Sequence, residues 1–95
     1  MTPDVPKPGT GVVQRSSDAT TSTVGDRVVL YHRLSRAAIV LNPTGSWMWQ
    51  QLDTPRSRIQ LVASLRHRFP NLSEGDAERD VNAFLAELEQ HAMLA

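Results

Sequence analysis

Hydrophobic and polar positions along the chain change their pattern twice. Residues 1–17 show no sustained period; they hold three prolines, two glycines and scattered Ser and Thr. Such a stretch cannot bury enough apolar surface to offset its ordering entropy, so a flexible N-terminal arm is expected there. Val12 and Val13 are the residues of that arm that could dock on a folded body. From residue 20 the pattern becomes that of short strands. Residues 20–24 are rich in Thr, which suits a pleated surface. Gly25-Asp26 is a two-residue turn signal, with Gly supplying positive φ. Residues 27–31 form a second strand, 32–35 a second turn and 36–41 a third strand. Three short strands joined by tight turns predict an antiparallel meander.

Asn42-Pro43 then switches the period to helical. Asn is a preferred N-cap, and Pro fits the first helical position because its missing N–H would have no partner there. Gly45, Met48, Trp49 and Leu52 recur at i, i+3, i+4, i+7, one face of a helix that stops near Asp53-Thr54-Pro55. Trp47 lies about 200° from Trp49 around that helix, so the two rings cannot share the core face. A second helix, capped by Ser57 or Thr54, turns Ile59, Val62, Leu65 and Phe69 inward and ends at Pro70. A third starts at Ser73, with Asp76 three residues on as in a capping box. Its apolar stripe is Val81, Phe84, Leu85, Leu88 and Ala92. The expected fold class is α+β: a small three-stranded antiparallel sheet followed by a three-helix, winged-helix-like bundle.

Composition narrows the function. Ninety-five residues make one domain with a thin core, which favours a binding module over an enzyme with a deep cavity. The absence of cysteine removes disulfides, thiolate metal sites and thiol nucleophiles. The residues after Met1 contain no apolar run of the secretory type, and no segment is long enough to cross a bilayer. A soluble, cytoplasmic protein is expected. The ten basic and ten acidic residues cancel, yet six acids (Glu74, Asp76, Glu78, Asp80, Glu87, Glu89) fall in the last quarter. Arg56, Arg58, Arg66 and Arg68 cluster upstream of them, as a solvated face or a docking patch for an acidic partner.

The third strand carries the functional signal. Ala37, Ala38, Ile39, Val40 and Leu41 are apolar on both faces, and in meander order they lie at a sheet edge. Soluble proteins usually blunt such an edge with Lys, Pro or a bulge; here the one charge is Arg36. An unguarded edge offers backbone donors and acceptors to an added strand. Cover by the last helix or the arm, or a homodimer pairing two such edges, are the alternative occupants.

The ordered set Leu41-Asn42-Pro43-Thr44-Gly45, Trp49 and Leu52-Asp53, then Leu61-Val62-Ala63, Phe69-Pro70 and residues 80–88 resembles the PqqD family over roughly residues 20–94. The resemblance makes residues 18–95 a PqqD-like peptide-binding domain. It implies a non-enzymatic protein that binds the leader segment of a ribosomally made precursor peptide. The leader would add as a strand and be presented to a modifying enzyme such as a radical SAM enzyme, protease or cyclase. The pathway would be PQQ biosynthesis or a lasso-type or related one, and the Asn-Pro-Thr-Gly junction leans toward the lasso type. Carried onto this sequence, the peptide-binding residues are Ala37, Ala38, Ile39, Val40 and Leu41 on the strand, with Asp80, Val81, Phe84 and Leu88 on the helix wall. No catalytic residue, cofactor or metal is implied. The turn at residues 32–35 lacks the Gly often seen in the family.

A winged-helix DNA-binding regulator is the alternative. Phosphate neutralisation dominates duplex affinity, so a reading helix should be basic. The third helix is acidic and the whole chain is neutral, with a pI near 6.8, where DNA-binding domains more often carry a continuous basic face. His32, His67 and His91 show no ligand spacing, so neither a metal site nor general acid–base chemistry is expected. The acids opening the third helix suit the positive end of its dipole.

Overall fold

The computed structural model describes residues 12–95. In chain order the elements are β1 (Val12–Val13), β2 (Ala19–Val24), β3 (Arg27–His32), β4 (Ala38–Val40), α1 (Pro43–Gln51), β5 (Arg56–Ser57), α2 (Arg58–Arg68) and α3 (Glu74–Gln90). The antiparallel sheet runs β2-β3-β4, and β1 pairs with β5 in a separate two-stranded ribbon. Three strands and three helices in this order are the α+β architecture that the periods predict.

Local chemistry sets the boundaries. Gly25 turns the β2–β3 hairpin at φ 62°, where a Cβ would be strained. The next turn has no Gly and uses two other devices. The imidazole Nδ1 of His32 accepts from the N–H groups of Leu34 and Ser35 at 3.2 and 3.1 Å, and Arg36 takes the left-handed conformation at φ 64°. His32 is buried because it holds this turn. Asn42 caps α1 by accepting from the Gly45 N–H at 2.7 Å, with Pro43 at the first helical position. Ser57 and Gln60 form a full capping box on α2, and Ser73 caps α3.

The core gathers Val28, Leu30, Ile39 and Leu41 from the sheet region with Met48, Trp49, Leu52, Leu61, Val62, Leu65, Ala77, Val81, Phe84 and Leu88 from the helical half. Ile59, expected inward, is exposed: the inward face of α2 runs through Leu61, Val62 and Leu65. Trp47 is half-buried and meets Phe69 edge-on at 6.3 Å between centroids. Ser46 is a buried polar residue that ties α1 to the sheet. Its hydroxyl accepts from the Val28 N–H at 2.8 Å and donates to the Leu41 carbonyl at 3.2 Å. Leu41 in turn donates its N–H to the Val28 carbonyl. The last rung of the β3–β4 ladder is thus bridged by a serine, and the chain leaves the sheet there.

The expected flexible arm is corrected from residue 12 onward; residues 1–11 lie outside the described part. β1 pairs with β5 through Val12 with Ser57 and Val13 with Arg56, and Arg15 bridges to Leu94. The Ser16 N–H donates to the Met93 carbonyl, and the Ala95 N–H to the Gln14 carbonyl. The Arg15 guanidinium donates to the Trp49 carbonyl and sits 4.4 Å from the Trp49 ring centroid. Burial lowers its pKa from the ordinary value, opposed by the charge of Asp53. An arginine placed over an indole and hydrogen-bonded to the backbone beneath it makes residues 12–17 part of the folded body.

Candidate functional site: an open strand edge beside a groove

β4 lies at one edge of the sheet, paired with β3 through Val29–Val40, Leu30–Ile39 and Tyr31–Ala38. The flanking bonds, His32 N–H to Ala37 carbonyl and Leu41 N–H to Val28 carbonyl, fix which residues face inward. Bonding alternates along an antiparallel pair. Ile39 therefore spends both backbone groups on β3, Ala37 its carbonyl and Leu41 its N–H; the Ala37 N–H donates to the Ser35 hydroxyl, and the Leu41 carbonyl accepts from Ser46. Ala38 and Val40 direct theirs to the free side, a donor and an acceptor each. Their side chains are exposed, Val40 at 57%, so neither the edge nor this face of the strand is covered by described residues. The regular strand is shorter than the predicted 36–41: Ala37 belongs to the turn side, and Leu41 is a buried anchor.

Where β4 passes into α1, a cavity of about 210 Å³ opens against α3. Leu41, Asn42, Thr44, Gly45 and Met48 line one side, and Asp80, Ala83, Phe84 and Glu87 the other. A Cβ on Gly45 would come within 3.1 Å of the Asn42 side-chain oxygen and 3.6 Å of Phe84. A side chain here would press on both the cap of α1 and the wall of the groove. Leu41, Met48 and Phe84 back the cavity as nearly buried side chains, and the exposed Asp80 and Glu87 bring two carboxylates to it. The ion pairs found among the described residues, Arg33–Asp18 and Arg79–Asp76, involve neither of them.

The site residues expected from sequence separate into groups. Asp80 and Phe84 line the cavity beside Leu41. Val81 and Leu88 are fully buried and are corrected to core residues that back the wall, since the stripe Ala77, Val81, Phe84, Leu88 faces the bundle. The groove takes the stripe one residue earlier, Asp80, Ala83, Phe84 and Glu87, about 100° around the helix and sharing Phe84. Ala83 and Glu87 were legible as the i+3 and i+7 neighbours of Asp80, but their small or charged side chains give no hydrophobic signal. Thr44 and Met48 were hidden inside the α1 motif. Among the described residues no group of three or more His, Cys, Asp or Glu is placed to hold a metal ion, and no helix is long and apolar enough to cross a membrane.

The meander, the three capped helices and the groove at their junction define a winged-helix-like α+β domain with one open strand edge facing a helix. The model of the family described as coenzyme PQQ synthesis protein D (PqqD) matches residues 27–94, and the chain belongs to that family. No curated protein matches the sequence. Among solved structures, the fold is similar to that of TbiB1 in complex with the TbiA(beta) leader peptide, with a TM-score of 0.78 and 23% identity. The match covers 85% of this chain and 93% of that one.

Proposed function

We propose that this protein is a non-enzymatic peptide carrier. It captures the leader segment of a ribosomally made precursor as a strand added to β4 and presents the precursor to a modifying enzyme. The observation that carries this reading is the pair of outward-directed backbone positions, Ala38 and Val40, on an edge that ends at the groove. Strand addition there gives affinity through main-chain bonds with little sequence demand, and the groove admits alternate leader side chains. The two carboxylates, Asp80 and Glu87, favour a leader residue with a cationic end. Membership of the PqqD family and likeness of fold to a protein solved with a leader peptide support the reading. The neutral charge and the acidic α3 fit it better than duplex binding. Holding the leader raises the effective concentration of the attached core peptide at the enzyme.

The test is calorimetric titration with synthetic leader peptides, the TbiA(beta) leader among them, against the wild-type chain and Val40→Pro. The substitution removes an outward N–H and none that bonds β3. A loss of affinity of about tenfold or more is expected, one main-chain bond plus the steric bulk of the ring. Unchanged binding by Val40→Pro would contradict strand addition at β4.

A further inference from the structure

Among the described residues nothing pairs with the outer side of β2, and the chemistry of this edge differs from that of β4. In the β2–β3 ladder the pairs Thr20–Tyr31, Ser22–Val29 and Val24–Arg27 hold the mutual bonds, because Val28, Leu30 and His32 are turned toward β4. The Arg33 N–H donating to the Asp18 carbonyl continues the same alternation. Thr21 and Thr23 therefore direct both backbone groups outward, and Ala19 its carbonyl, since the Ala19 N–H is taken by the Ser16 carbonyl. β2 is six residues long, twice the length of β4. It carries no charge, no Pro and no bulge, and its last five residues are exposed. Among the described residues none of the usual devices that protect an edge is present.

We propose that the β2 edge pairs with the β2 edge of a second copy of this chain, antiparallel across a two-fold axis. The edge is self-complementary. Its side chains are Ala, Thr, Thr, Ser, Thr and Val, so no like charges meet along it, and Thr–Thr and Thr–Ser neighbours are favourable cross-strand pairs. Charge at its ends favours one of the two central registers, although Asp18 is already paired with Arg33 of its own chain. Centring the axis on Thr21 joins the two Thr21 residues through mutual bonds and gives each Thr23 N–H the Ala19 carbonyl of the other copy. It also sets Val24 beside the other copy's Asp18, with Arg27 one strand further on the same face. Centring on Ser22 would instead oppose Asp18 with Asp26 of the other copy. The product is a continuous six-stranded sheet with a β4 edge at each end, so each copy keeps its groove open. This differs from a homodimer formed through the third strand, which would block that edge. An edge pairing of this size belongs with the small, weak interfaces.

The test is sedimentation equilibrium of the full chain and two variants. Thr23→Pro removes one outward N–H, and Ser22→Lys leaves every backbone group intact while adding a charge at the seam. For the wild type, the weight-average mass should rise from that of a 10.5 kDa monomer toward twice that value between about 10 µM and about 1 mM. Both variants should remain monomeric, with the far-UV circular dichroism of the parent. A wild-type monomer throughout that range overturns the proposal; slow hydrogen exchange at Thr21 and Thr23 in that monomer would assign the edge to residues 1–11. A dimer that survives both variants, or that Val40→Pro dissolves, also overturns it. None of these outcomes depends on peptide binding.

Discussion

Ser46 is the residue on which the sheet and the bundle are joined. Its hydroxyl stands between the Val28 N–H and the Leu41 carbonyl, which do not bond each other directly, so removing it strands both. Ser46→Ala should lower stability by about 1–3 kcal/mol, the penalty for a buried polar group left unpaired. Chemical denaturation measures this, and a change below about 0.5 kcal/mol would mean that the rung closes without the serine. The sequence offered no sign of this role, because a serine inside a helix reads as a solvent-facing filler. His32 was equally opaque: a lone histidine reads as a surface residue, yet here its ring replaces the glycine of a tight turn. Asn42, Pro43 and Ser57 were legible, because capping depends on neighbours within three residues.

Elements whose signals are local came out of the sequence with close boundaries; those defined by distant partners did not. The first and third helices were marked by N-caps and a repeat of three and four. The second helix was misphased at Ile59, because its inward stripe is Leu61, Val62 and Leu65. β1 and β5, two residues each, exist through pairing with each other, which no local pattern announces. The cavity-lining face of α3 lay one residue from the visible apolar stripe, so Val81 and Leu88 are buried while Ala83 and Glu87 line the cavity. The β4 edge was legible, because an apolar strand ahead of a helix has little choice of place. Its register adds a sharper contrast to the test of strand addition. Ile39→Pro breaks the internal ladder and should cost stability, whereas Val40→Pro should lose leader affinity with the fold intact. Thermal unfolding alongside calorimetry separates the two, and equal thermal losses would contradict the assigned register.

At the scale of the described domain, residues 14–16 and the C-terminal residues 93–95 close on one another around Arg15. Ser16 and Gln14 bond the backbone of the tail, Met93 and Leu94 complete the apolar layer, and Arg15 lies over Trp49 at the centre. Arg15→Ala should therefore lower the stability of the domain by about 1–2 kcal/mol, through lost stacking, packing and the bond to the Trp49 carbonyl. Hydrogen exchange should then accelerate at Ser16 and Ala95 before it does in α2. Uniform acceleration would mean that the closure is not a separate unit. Neither Arg15 nor Trp49 lines the groove, so leader affinity should be unchanged.

The proposed function rests on a peptide adding to β4 and being held against α3. A backbone amide NMR titration with leader peptides tests it most directly. Shifts should concentrate at residues 36–41 and 79–88, with the Ala38 and Val40 amides becoming protected from exchange. Binding that shifts β2 or the α2 surface while leaving Ala38 and Val40 unchanged would contradict it.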